Sequence, residues 1–153
     1  MTFEQFAMAR LPSLLRYAVV LTGDRDLAQD VIQEVLARTQ VRWRRISDTD
    51  DPEAYVRRMV LDEYLSWRRF WAVRRLRVAG DPNGDLWARL FTLGRKQRAV
   101  LVLRHYEHLE DEQIAGLLGC SVATVRSHAS RALKTLRLDE PELNDRILVK
   151  EKS

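Results

Sequence analysis

The sequence predicts an all-α chain: two small helical domains joined by a short linker, the second containing a helix-turn-helix. Three observations carry that expectation. Apolar residues recur at three- and four-residue spacing along most of the chain, the period of a helix with one buried stripe. Glycine and proline are scarce, six and four residues in 153, which argues against an all-β design with its many turns. Turn-forming residues gather at 78–86, VAGDPNGDL, where Gly80, Asp81-Pro82 and Asn83-Gly84 crowd together. This break divides the chain into a first domain at 1–77, a linker at 78–86, a second domain at 87–137 and a polar tail at 138–153.

Residues 2–22 read as the first helix, with Phe3, Phe6, Ala7, Leu14, Tyr17, Ala18 and Leu21 on its apolar side. Pro12 marks a fresh turn or a kink within it, and Thr22-Gly23 ends it. Asp24 caps a second helix at 25–45, whose broad apolar side is Leu27, Ala28, Val31, Ile32, Val35, Leu36 and Trp43. Its acids, Asp30 and Glu34, come early; its bases, Arg38, Arg42, Arg44 and Arg45, come late. The helix dipole favours that order, so structure alone accounts for it. A loop follows at 46–52, ISDTDDP, and Pro52 opens a third long helix covering about 53–77. Val56, Met59, Val60, Trp67 and Trp71 form its stripe. From Arg68 to Arg77 there are five arginines and no acid, interleaved with Phe70 and Trp71. Cations for phosphates and flat faces for bases suit single-stranded nucleic acid. A solvated basic face with core aromatics fits the composition equally well.

In the second domain, Trp87–Leu93 reads as a short helix and Arg95–Tyr106 as a longer one, with Val100, Leu101, Leu103 and Tyr106 inward. The stretch from Glu110 to Arg137 then reads as two helices about a tight turn. Ile114, Ala115, Leu117 and Leu118 are the apolar side of the first. Gly119 stands where a helix end needs positive φ, and Ser121 is a good N-cap for the second. Val122, Val125, Ala129, Ala132, Leu133 and Leu136 form one buried stripe. The opposite face carries Thr124, Arg126, Ser127, His128, Arg131 and Lys134, and no acid occurs between Ser121 and Arg137. That is the layout of a helix-turn-helix whose second helix enters a DNA major groove. An amphipathic pair in an ordinary bundle shares the stripes, but not the small Ala115, the glycine turn and the acid-free helix together. The tail from Leu138 is mostly polar and reads as frayed.

The net charge of +4 and pI near 9.6 suit a nucleic-acid partner. Both domains are basic, and only the tail is net acidic. Cys120 is the one cysteine, so no disulfide framework exists. No apolar run reaches a membrane span and the N-terminus lacks a signal-peptide pattern, so the chain is expected in the cytoplasm with no membrane partner. His105, His108 and Cys120 lack paired metal-ligand spacing, and Asp30 with Glu34 reads as a solvated pair. No catalytic residue, cofactor site or metal site is expected, and the chain is not read as an enzyme.

The order of these parts resembles bacterial RNA polymerase sigma factors of the extracytoplasmic-function group, especially short actinobacterial members, over about residues 3–137. TGDRDLAQDVIQEVLARTQVRW is similar to the family's second conserved helix. DPEAYVRRMV followed by LSWRR is similar to its promoter-melting helix, and RKQRAVLVLRHYEHLEDEQIAGLLGCSVATVRSHASRALKTLR to its promoter-binding domain. The resemblance implies a promoter-specificity subunit with core RNA polymerase and promoter DNA as partners, and an anti-sigma protein as a candidate third. Carried over residue by residue, it places core contact on Asp30, Gln33, Glu34 and Arg38. Melting and −10 recognition fall on the 46–52 loop and on Arg57, Arg58, Asp62, Trp67, Arg68 and Arg69. The −35 readers are Thr124, Arg126, Ser127, His128 and Arg131.

Two positions depart from the family pattern. Asp62 stands where many relatives carry Asn, and an acid facing DNA repels phosphate. Gly94 stands where proline is usual, which predicts a looser helix start. The alternative reading is a helix-turn-helix regulator with an N-terminal dimerisation or ligand domain. The arginine-aromatic helix argues against it, because neither kind of domain needs one. A third reading, an adaptor that binds without melting DNA, rests on Asp62 alone.

Overall fold

The computed structural model describes residues 1–66 and 93–138, together with Pro141 and Leu143. The described residues are helical or connect helices, with no strand among them. The chain divides into two compact units, Met1–Arg75 and Leu76–Ser153. The expected linker at 78–86, the Trp87–Leu93 helix before its last residue, and Trp67, Arg68, Arg69, Phe70 and Trp71 lie outside the described residues.

In the first unit α1 spans Phe3–Thr22 and α2 Arg25–Val41. Thr2 caps α1 reciprocally with Gln5: its N–H donates to Gln5 Oε1 at 2.9 Å, and the Gln5 N–H donates to Thr2 Oγ1 at 3.2 Å. Pro12 does not interrupt α1. It withholds one hydrogen bond from the Met8 carbonyl, and both residues lie on the exposed side where water can serve that carbonyl. Gly23 ends α1 at φ 71°, and its N–H donates to the Val19 carbonyl at 2.7 Å. Asp24 then caps α2 as expected, accepting from the N–H groups of Asp26 (2.9 Å) and Leu27 (3.1 Å).

The second helix stops earlier than its pattern suggests. The chain bends at Arg42 (φ −103°, ψ 15°) into a separate short helix, α3, Trp43–Ser47. Beyond the bend Trp43 lies against the start of α1. Its ring lies 4.9 Å from that of Phe6 and 6.1 Å from that of Phe3, and its Nε1–H donates to the Met1 carbonyl at 3.1 Å. Ile46 is fully buried. The loop expected at 46–52 is therefore shorter: Ile46 and Ser47 are helical and only 48–51 connect, because an apolar isoleucine belongs in the core. Pro52 opens α4, Pro52–Ser66, at the first helical position, and Asp51 Oδ1 accepts from the Ala54 N–H at 3.1 Å.

Helices α1, α2 and α4 pack mutually around Phe6, Leu14, Tyr17, Leu21, Val31, Ile32, Val35, Val56, Val60, Leu61 and Tyr64. Leu61, Tyr64 and Thr39 join this core beyond the expected stripes; the Thr39 hydroxyl donates to the Val35 carbonyl at 2.7 Å. Glu53 clips α4 to α1. It accepts from the Ser13 hydroxyl at 3.3 Å and pairs with Arg10 at 3.4 Å and Arg57 at 3.6 Å.

In the second unit the expected 95–106 helix is two segments. An α-helix, α5, Arg95–Leu101, passes into a π-helical turn at Val102–Tyr106. The Glu107 N–H reaches the Val102 carbonyl at 3.0 Å, one residue further back than in an α-helix. Arg98, Ala99, Val100, Leu101, Val102 and Leu103 are all buried in succession. Six consecutive residues cover every side of a helix, so this segment is the centre of the unit. Around it pack α6, Asp111–Leu118, and α7, Val122–Leu136. The tail is not wholly frayed: Leu143 is fully buried in a cluster with Leu93, Leu101, Ala132 and Leu136.

Gly94 leads into α5 at φ −59° and ψ 152°. That φ is the one proline's ring imposes. A Cβ built there meets nothing within 4 Å. Gly94→Pro should therefore stabilise the second unit by about 0.4–1 kcal/mol through the unfolded chain. Chemical denaturation of parent and variant checks it, and a lower midpoint for the variant refutes it.

Candidate nucleic-acid interface

The helix-turn-helix is built at three points. The Glu110 N–H donates to Gln113 Oε1 at 3.0 Å, starting α6. Gly119 ends α6 at φ 67°, and the following Cys120 N–H reaches back to the Ala115 carbonyl at 3.1 Å. Ser121 caps α7, its Oγ accepting from the Thr124 N–H at 3.1 Å. Ile114 and Ala115 are the buried members of α6, while Leu117 and Leu118 are half-buried.

On α7 the two faces separate. Val125, Ala129, Ala132 and Leu136 are at most 1 % exposed. Arg126, Ser127, Ser130, Arg131 and Lys134 are exposed. With its apolar side filled, α7 presents a cationic, hydroxyl-bearing surface without a carboxylate of its own, and such a surface attracts phosphate and can hydrogen-bond base edges.

The expected −35 readers differ in their surroundings. Thr124 is half-buried, and its hydroxyl shares a 2.9 Å hydrogen bond with Ser121, so it is part of the cap. Arg126 donates from Nε to Asp111 Oδ2 at 3.3 Å, and Arg104 Nη2 donates to the same oxygen at 3.0 Å. Asp111, at the start of α6, thus orients a guanidinium on α7. His128 is half-buried, and its Nδ1 is buried without a hydrogen-bond partner among the described residues. Burial, then the positive charges of Lys96 and Arg131, hold its pKa below the usual histidine value. Ser127 and Arg131 are open to solvent.

In the first unit Asp30, Gln33, Glu34 and Arg38 all lie exposed on α2. Arg38 pairs with Glu34 at 3.0 Å and with Glu63 of α4 at 2.8 Å. Glu63 was missed in the sequence, although it carries a signal. It falls among Val60, Leu61 and Tyr64 on the buried side of α4, where a carboxylate needs a cation. The residues expected at the −10 element divide. Arg58 and Asp62 are exposed one turn apart on α4. Arg57 instead turns inward, its guanidinium 5.0 Å from the centre of the Tyr17 ring and paired with Glu53. Trp67, Arg68 and Arg69 lie outside the described residues.

Among the described residues no three His, Cys, Asp or Glu side chains gather as a metal site, and no helix is long and apolar enough to cross a membrane. His105 is buried, His108 is exposed and Cys120 is half-buried.

The family model described as Sigma-70, region 4 matches residues 84–136, which include the helix-turn-helix. The RNA polymerase sigma-E factor of Streptomyces coelicolor is 37 % identical, with 88 % of this chain and 84 % of that protein covered. The ECF RNA polymerase sigma factor SigL of Mycobacterium tuberculosis is 32 % identical, with 85 % of this chain and 84 % of that protein covered. Among solved structures, the sigma factor RpoE in complex with the anti-sigma factor NepR from Bartonella quintana shares the fold. The TM-score is 0.65 at 24 % identity, over 92 % of this chain and 95 % of that one. Similarity at these levels along most of its length, on a two-unit helical fold ending in a helix-turn-helix, means that the chain belongs to the extracytoplasmic-function sigma factors, the promoter-specificity subunits of bacterial RNA polymerase.

Proposed function

We propose a division of labour between the two units. The first holds core RNA polymerase through the exposed side of α2 and opens the −10 element along α4. The second reads the −35 element as duplex through α7. The observation that carries the second assignment is α7 itself, with one face fully buried and the other cationic and exposed. Within that face, Ser127 and Arg131 are free to reach base edges, and Arg126 reaches DNA in the orientation Asp111 imposes. On α4, Arg58 and Asp62 form the described part of the −10 surface, and Arg57 supports it from beneath.

The reading includes no catalysis by this chain, which acts in the cytoplasm through the polymerase. The Bartonella protein that shares the fold is held by an anti-sigma factor, and an inhibitor of that class is the proposed regulator here. The alternative of a free-standing helix-turn-helix regulator is less well supported, since the sigma-factor likeness extends over both units.

Reconstitution with core polymerase tests the proposal: promoter-dependent transcript is expected, and its absence refutes it. Glu34→Lys tests the α2 contact separately. Glu34 is half-exposed and pairs with Arg38, so the change should cost stability about 1 kcal/mol, from the lost pair and the new like charge, while weakening core binding. A variant that binds core as tightly as the parent removes Glu34 from the contact.

A further inference from the structure

Three charged side chains link the centre of the second unit to the outer face of α7. Arg104, in the π-helical turn, donates from Nη2 to Asp111 Oδ2 at 3.0 Å. Arg126, on α7, donates from Nε to the same oxygen at 3.3 Å. The Asp111 side chain is 13 % exposed and that of Arg104 23 %, against 66 % for Arg126. The inner pair is thus a nearly dry base for the outer guanidinium. An acid at the first position of α6 serves the helix dipole equally well from solvent. This one is turned away from water onto two cations, which the dipole alone does not require.

The brace engages only Nε of Arg126, so the two Nη groups at its end have no partner among the described residues. Two parallel donors match two adjacent acceptors. In the major groove guanine offers such a pair on one base, O6 and N7, whereas adenine sets a donor beside its acceptor. A phosphate gains nothing from the brace: it accepts cations from many directions, and a carboxylate behind the cation weakens the attraction. The brace is useful where direction matters, and an arginine held in advance loses less freedom on docking. Arg131, exposed on the same helix, has no ion-pair partner among the described residues and lacks this brace.

We propose that Asp111, itself fixed by Arg104, is a positioning residue for duplex reading: it aims Arg126 end-on at a single guanine and so sets the base preference at that position. The inference rests on the assignment of α7 to the −35 duplex. It adds a base type, and a specificity-determining residue on α6 that acts through Arg126 without touching DNA.

The test uses holoenzyme, this chain bound to core RNA polymerase, to select from a library of duplexes carrying a long random block. Base preference is then read at each position of the upstream motif. The parent should prefer guanine by roughly 5- to 150-fold at the position Arg126 reads, the range of a bidentate arginine contact. Arg126→Ala should abolish that preference and leave the other positions as they are. Asp111→Ala should relax the same position several-fold. It should also raise affinity for scrambled duplex, because a carboxylate near the phosphates is gone. Asp111→Asn keeps an acceptor of the same shape, so its guanine preference should fall between those of the parent and Asp111→Ala, with the raised affinity for scrambled duplex retained. A merely structural role gives the opposite sign, since a disturbed α6 weakens scrambled and selected duplexes together. Should Asp111→Ala fail to fold, Asp111→Asn against Arg126→Ala makes the same comparison. The proposal is overturned if the folded Asp111 variants keep the parent's guanine preference, relax a position that Arg126→Ala leaves intact, or flatten every position alike. The −35 reading fails separately: a parent holoenzyme that selects no upstream duplex motif refutes the assignment of α7, whereas a motif indifferent to Asp111 refutes only the positioning role.

Discussion

Replacing Leu143 by alanine should destabilise the second unit by about 2–5 kcal/mol, the range for emptying a closed leucine site. Leu143 sits in a tail that is otherwise largely polar, yet it is fully buried against Leu93, Leu101, Ala132 and Leu136. Those partners come from the entry to α5, from α5 itself and from the last two turns of α7. Removing the side chain therefore opens a cavity at the back of the helix whose front is assigned to DNA. In a domain of this size each kcal/mol shifts the melting temperature by roughly 4–8 °C, so the effect is large in calorimetry of the full chain. Leu143→Met, which nearly conserves volume, should cost less than about 1.5 kcal/mol. An alanine variant that melts with the parent would place Leu143 in solvent.

Arg38→Ala should destabilise the first unit by about 1.5–3 kcal/mol, the usual range for a hydrogen bond to a charged group. Its guanidinium donates to Glu63 at 2.8 Å, and the Glu63 side chain is only 9 % exposed. Truncating Arg38 leaves that carboxylate almost out of water without a cation. Arg38 itself is half-exposed, so water entering the vacated space limits the loss. The double variant Arg38→Met with Glu63→Leu should recover most of the stability, because removing both charges removes the stranded one. The same pair divides structure from contact. If Arg38 touches polymerase directly, the double variant folds well and still binds core weakly; if Arg38 acts only by joining α2 to α4, core binding returns with stability. Stability of Arg38→Ala equal to the parent's would mean that the ion pair does not form in solution.

Much of the fold was legible because its signals are local. Asp24, Gly119 and Ser121 declare helix ends through backbone chemistry that involves only their near neighbours, and each does in the structure what its residue type suggests. The stripe on α7 was legible because one period runs unbroken for fifteen residues. Features that depend on distant partners were not. Trp43 fits the apolar side of a longer α2, yet it lies in a separate helix against Phe3 and Phe6, some forty residues earlier. Ile46 was read with its polar neighbours as loop, and Leu143 with its neighbours as frayed tail, because a single apolar residue in a polar run has no period to reveal it. The site residues follow the same rule. Exposure of Arg131 and Ser127 follows from the α7 stripe, whereas the inward turn of Arg57 onto Tyr17 needs a residue of α1, which its own helix period does not reveal.

The π-helical turn at Val102–Tyr106 also bears on how this chain tolerates changes in length. Such a turn holds one residue more than an α-helical turn would between the same flanking positions. Deleting Arg104 could thus be absorbed by reversion to α-helical bonding, with α5 and α6 keeping their places. The same deletion within α7 would rotate everything beyond it by about 100° and carry the buried stripe off the core. A relative with regular α-helix at this point should accordingly align with a one-residue gap inside 102–106, and the gap marks a change of helical pitch.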